Sequence, residues 1–169
     1  MNSDLKQLIR LQSVDLAIQE IRIRADKFPS ISKALDEKLK SATSGLESAK
    51  EQVKANQAGR KKFEGDVTTI EAKISKYREQ MLNVKTNVEY KGLQNEIEYA
   101  QQNIRKIEDE ILNLMSEFET LQNDVKAAEA RLKDDQKLVS DERKELEKVH
   151  QQDLTAIEAY IQERREKLI

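Results

Sequence analysis

Between positions 85 and 91 the chain combines two cations, Lys85 and Lys91, with Thr86, the amide of Asn87, the carboxylate of Glu89 and the phenol of Tyr90. This is the chemistry of recognition, made of hydrogen bonds, ion pairs and aromatic contact. Nowhere in the chain do a nucleophile, a base and oxyanion donors visibly converge, so no enzyme activity is expected. The cluster serves either to close a turn or to meet a partner, since loops on rigid scaffolds often carry binding residues. With Arg60, Lys61, Lys62, Lys73, Lys76, Arg78, Arg105 and Lys106 behind it, the same region is also a candidate for attracting phosphate. No cysteine is present, and His150 alone cannot make a zinc site, so the chain itself is expected to hold no metal or other cofactor.

The elements that must position these residues are helices. Of 169 residues, 37% are charged, 37% hydrophobic and only 4% aromatic, with a single proline and four glycines. Charge this dense needs surface, and a chain with so few breakers favours long helices over a globule. Formal net charge is −2, so no overall field draws the chain to nucleic acid or membrane. The start, MNSDLKQLIR, lacks the features of a signal peptide, and no run reaches the roughly 18 apolar residues of a membrane span. A cytoplasmic location without membrane contact is expected.

A first helix is predicted over 3–27, with Ser3 as N-cap and Asp4 in its first turn. Pro29 ends it, Phe28 being disfavoured in the α region, and Ser30 and Ser32 offer caps for a second helix over 31–84. Along that helix Leu35, Leu39, Ala42, Leu46, Ala49, Val53, Asn56, Arg60, Phe63, Val67, Ile70, Ile74, Tyr77, Met81 and Val84 alternate steps of four and three. Leu93, Ile97, Ala100, Ile104, Ile107, Ile111, Leu114, Phe118, Leu121, Val125, Ala128 and Leu132 repeat those steps in a helix predicted over 88–168. Seams this regular specify a left-handed coiled coil. Thr86 followed three residues later by Glu89 is a capping box, so residues 85–87 read as a tight turn that folds the third helix back on the second.

The turn dictates the pairing. Met81 faces Leu93, Tyr77 faces Ile97, Ile74 faces Ala100 and Val67 faces Ile107. Asn56 and Arg60, the polar members of the seam, face Phe118 and Leu114 and are read as fixing register. Asp135 and Glu142 stand opposite Leu39 and Ser32, within reach of Lys38 or Lys33. Gly45, Gly59 and Gly65 soften the second helix, through close packing or bending.

Beyond Glu142 the third helix overhangs the second. The first helix covers the overhang, setting Leu11, Val14, Ile18, Ile21, Ala25 and Phe28 against Leu146, Val149, Leu154, Ile157, Ile161 and Leu168. The step from Val149 to Leu154 breaks the heptad, so a change of supercoil is expected there. The expected fold is all-α. It is one elongated antiparallel coiled-coil hairpin over 1–169, two long helices joined by the turn, with a shorter N-terminal helix packed on the overhang of the last. Leu5, Ile9, Leu16 and Ile23 form a second stripe on the first helix that is free to bind another chain, so monomer and homodimer both stay open.

The stretch NVKTNVEYKGLQNEIE at 83–98, the opening LKQLIRLQSVDLAIQEI and the FPSI break together resemble the bacterial coiled-coil hairpin proteins that carry a C-terminal C4-type zinc ribbon. Val84, Lys85, Thr86, Asn87, Glu89, Tyr90, Leu93, Glu96 and Ile97 match that family's signature, and the likeness covers essentially the whole chain. The two Cys-x-x-Cys pairs of the ribbon are missing, and the helix ending in RREKLI has no visible stop. Set against the resemblance, this leaves a ribbonless relative or the N-terminal part of a longer protein; the second is the preferred expectation, with zinc confined to a ribbon beyond Ile169. It also implies regulatory binding: a transcription-related protein partner such as the nitrogen-type alternative sigma factor, a place in flagellar gene control and, in one branch, RNA binding.

Overall fold

In the computed structural model residues 3–168 are described, with side chains described over 5–166. The Ser3 and Asp4 caps and the side chain of Leu168 lie outside the described side chains. Three helices make up the chain, α1 (Ser3–Ala25), α2 (Phe28–Met81) and α3 (Asn87–Leu168), and no strand occurs among the described residues. The fold is an all-α coiled-coil hairpin. Two compact units divide it, one of Gly45–Glu129 and one of Met1–Ser44 with Ala130–Ile169.

Helix ends differ from expectation by two or three residues, for identifiable reasons. α1 stops at Ala25, and the N–H groups of Asp26 and Lys27 bond the carbonyls of Arg22 and Arg24. α2 starts at Phe28 rather than at residue 31, because Lys27 acts as its cap: the Ile31 N–H bonds the Lys27 carbonyl at 3.1 Å. Pro29 thus sits in the first turn, where its missing N–H has no intrahelical role. Ser30 is not a cap, since its hydroxyl donates to the Lys27 carbonyl at 2.8 Å. α2 ends at Met81 rather than Val84 because its last turn tightens. Leu82 and Asn83 donate to the carbonyls of Glu79 and Gln80, three residues back, and the Asn83 side-chain amide also reaches the Glu79 carbonyl at 3.2 Å.

Within the unit of Gly45–Glu129 the seam residues of α2 and α3 are the covered ones, Ala49, Asn56 and Ile74 most fully. The contact of α2 with Leu114 agrees with the expected register: a Cβ at Gly59, next to the Arg60 that faces Leu114, would lie 3.7 Å from Leu114 Cδ1, and a slip of one heptad would part them. The Lys50–Glu129 bridge at 3.1 Å flanks the seam, each partner standing one residue past a seam alanine, Ala49 or Ala128. Asn56 is 6% exposed, and its amide donates to the Leu114 carbonyl at 3.0 Å, a group that in an α-helix points along the axis toward Phe118. Arg60 extends sideways to Glu64 at 3.3 Å.

The glycines are not there for close packing. A Cβ at Gly45 or Gly65 would meet nothing within 4 Å, one at Gly59 would touch Leu114 Cδ1 at an ordinary 3.7 Å, and no glycine has positive φ. Gly45→Ala and Gly65→Ala are each expected to stabilise the protein by about 1 kcal/mol. Urea unfolding followed by circular dichroism checks this.

In the other unit α1 buries Val14, Ile18 and Ile21 and half-buries Leu11 and Ala25, as its seam requires, and Phe28, the first residue of α2, is half-buried as well. The face of α3 is the expected one at Leu146, Ile157 and Ile161, which are covered, and departs from expectation elsewhere. Glu142 is exposed, as are Val149 (41%) and Leu154, whereas Arg143, Leu146, His150, Asp153, Ile157 and Tyr160 are covered. The covered positions run Asp135, Val139, Arg143, Leu146, so two steps of four follow one another around Val139, the most buried side chain at 1% exposure. This is a stutter, which locally unwinds the supercoil and rotates the packed face. It comes ahead of the Val149–Leu154 step where a change was expected.

Candidate functional site

Three features lie outside the plain apolar seam: the tip, the polar positions of the shifted seam and the outer face of α1.

At the tip the non-helical residues are 82–86 rather than 85–87, and Asn87 already belongs to α3. Thr86 is the cap. Its carbonyl accepts the first helical N–H, from Tyr90 at 3.1 Å, and its hydroxyl accepts the Glu89 N–H at 3.3 Å while donating to Glu89 Oε2 at 2.8 Å. Glu89 therefore folds back on the cap, with its carboxylate bound to the hydroxyl. Lys85, Thr86, Asn87, Glu89, Tyr90 and Lys91 are all exposed and close together. A shallow groove of about 530 Å³ runs beside them between Gln80, Asn83, Val84, Glu89, Gly92 and Leu93. Reading the turn by its polar residues misses Leu82 and Val88, which are 87% and 82% exposed, the most exposed large apolar side chains on the described surface. Their signal in the sequence is that neither falls on the seam.

Where α1 gives way to α2, the polar residues of α3 are engaged. The ring of His150 stacks on Phe28 with centroids 4.1 Å apart and planes at 22°. Asp153, nearly buried, accepts a charged hydrogen bond from Arg24 at 2.9 Å. Arg143, on the packed face of α3, pairs with the exposed Asp36, one residue past Leu35. Asp135 is held by Lys38 at 3.6 Å and by Arg131 at 3.9 Å, while Lys33 pairs with Glu37 on its own helix. Buried Arg143 Nε and His150 Nδ1 have no hydrogen-bond partner. This cluster has the character of a polar core. Among the described residues no group of three or more His, Cys, Asp or Glu is placed to hold a metal.

On α1 the inner stripe is packed and the outer stripe is open. Leu5, Ile9, Leu16 and Ile23 are exposed, and so is Leu8, which the heptad count passes over. A shallow groove of about 410 Å³ follows this face, with Gln12, Asp15 and Gln19 among its lining residues. The flank toward α3 is tied down by Arg10–Glu163 at 3.3 Å and Asp15–Arg164 at 3.1 Å, which hold the helix so that the outer stripe faces away from its own bundle. No described helix is long and apolar enough to cross a membrane.

Comparison with known proteins agrees with this geometry. Curated proteins give no match. Among solved structures, the chain is similar to the HP0958 protein from Helicobacter pylori, with 21% sequence identity and a TM-score of 0.53, over 95% of this chain and 71% of that one. At that identity the likeness speaks for the fold alone. The sequence itself matches a family of coiled-coil hairpins from residue 11 to residue 169, nearly its whole length. A helix break, a capped tight turn and two antiparallel seams are what such a domain requires, and the chain belongs to the CT398-like coiled coil hairpin domain family.

Proposed function

We propose that the chain is a non-enzymatic interaction module that docks a protein partner on the outer face of α1. The observation that carries this is the contrast across one helix: Val14, Ile18 and Ile21 are buried while Leu5, Ile9, Leu16 and Ile23 stay open to solvent. A contiguous apolar stripe of this kind on a well-anchored helix marks an interaction surface more often than chance exposure does. The family resemblance supports a finer reading, in which the module is the N-terminal part of a zinc-ribbon regulator and its partner a transcription-related protein such as the nitrogen-type alternative sigma factor. On this reading Lys85, Thr86, Asn87, Glu89, Tyr90 and Lys91 form a second contact at the tip.

Ile9→Asp with Leu16→Asp leaves the buried stripe untouched, so helicity is expected to persist. Affinity for the purified sigma factor is expected to fall about 30-fold or more, in line with the loss of a central apolar anchor. Isothermal titration decides it, and unchanged affinity would refute the α1 site.

A second reading, RNA binding at the tip, draws on Lys85 and Lys91, neither of which makes an ion pair among the described residues. It requires binding that survives about 150 mM salt and weakens with Lys85→Glu plus Lys91→Glu.

A further inference from the structure

The tip carries more than its fold needs. Leu82 contributes only a backbone N–H to the tightened turn, and Val88 occupies the second position of α3, where no intrahelical acceptor awaits its N–H. Any residue would serve at either place, yet both are aliphatic and almost wholly in water. Around them stand Arg78, four residues before Leu82, Lys91, three residues after Val88, and Lys85 between the two. None of these cations makes an ion pair among the described residues. Glu89 is turned onto Thr86.

We propose that Leu82 and Val88 are paired anchors that enter an apolar socket rimmed by carboxylates on a folded partner protein, with Arg78, Lys85 and Lys91 meeting the rim. This deepens the interaction-module reading and rests on it. Leu82 and Val88 stand almost wholly in solvent and the groove beside them is shallow, so the deeper, concave half of the contact belongs to the partner. One feature favours a shaped protein socket over a lipid surface. The capping box and the Asn83–Glu79 bond hold the turn that carries the aliphatics in one arrangement, and a shaped socket makes use of that fixity where a fluid bilayer does not. Apolar anchors with a complementary charged rim are the usual division of labour at an interface.

The test uses the full chain with a benzophenone amino acid in place of Gln80, on the tip groove, and again in place of Gln151, far from it in sequence. The expected result is a protein crosslinked in cell extract from the first position only. That protein, purified, binds the unlabelled chain with an affinity that falls at least 30-fold with Leu82→Ser plus Val88→Ser. With Lys85→Glu plus Lys91→Glu it falls about tenfold and becomes less sensitive to salt. All four side chains are exposed, so circular dichroism is expected not to change. No crosslink at the tip, or an affinity indifferent to the serine pair, overturns the proposal. If the α1 variant still abolishes sigma-factor binding in that case, the interaction-module reading stands without it, and if that variant too is inert, both fall. Binding to phosphatidylcholine vesicles containing about 30% phosphatidylserine that is lost with the serine pair also overturns the proposal, in favour of a lipid surface.

Discussion

Val139→Asp is expected to lower stability by about 3–5 kcal/mol, whereas Val149→Asp is expected to change it by no more than about 0.5 kcal/mol. An unbroken heptad puts both valines on the seam, one after another in the same series, and predicts similar penalties. The stutter separates them. Val139 is 1% exposed, so an aspartate there is an unpaired charge taken out of water. Val149 lies on the face that rotates outward, where a carboxylate stays hydrated. Urea unfolding of the two variants, followed at 222 nm, measures the difference directly. Equal penalties would mean that the packed face of α3 does not turn at Val139.

The opposite sign is expected at the other interruption of the seam. Replacing Asn56 and Arg60 together with leucine should raise stability by about 1–3 kcal/mol, the gain from burying apolar side chains in place of a half-satisfied amide and an outward-bent guanidinium. For a protein of this length that is a rise in melting temperature of several degrees. The Arg60–Glu64 bridge lost in the exchange lies within one helix, with the Glu64 side chain mostly in water, and contributes little. The Asn56–Leu114 hydrogen bond is lost as well, but the carbonyl retains the helical direction toward Phe118. An unchanged or lower melting temperature would show that these residues do not occupy the seam. The gain should come with looser register, because the amide is a contact that only one alignment of α2 and α3 can make.

The hairpin and its register are legible in the sequence because both rest on features that repeat: apolar steps of four and three, and one capping box at their midpoint. The contacts of Asn56 and Gly59 with Leu114 agree with the alignment without having been needed to find it. Helix ends are less legible, since Lys27 as a cap and the tightened turn at Leu82 and Asn83 depend on single backbone bonds, spanning four residues at the first and three at the second, that leave no mark in composition. The turn of the α3 face is illegible for a different reason. Its markers are Arg143, His150 and Asp153, and a count of apolar residues steps over polar ones, landing instead on Val149 and Leu154. At the tip the polar cluster is easily read, while Leu82 and Val88 are marked in the sequence only by falling off the seam, and their near-complete exposure is seen in the structure. The open stripe of α1 is visible in both, because apolar residues on two sides of one helix exceed what a single seam can cover.

The capping box has a kinetic consequence. It joins residues only three apart, while the Lys50–Glu129 bridge closes a loop of about eighty, and the entropy lost in bringing chain segments together rises with the length between them. Within the unit of Gly45–Glu129, assembly therefore begins at Thr86 and advances like a zip away from it, each new layer closing a loop only slightly longer than the last. The residues that hold the turn are also the ones that set the rate at which the chain finds its partner half.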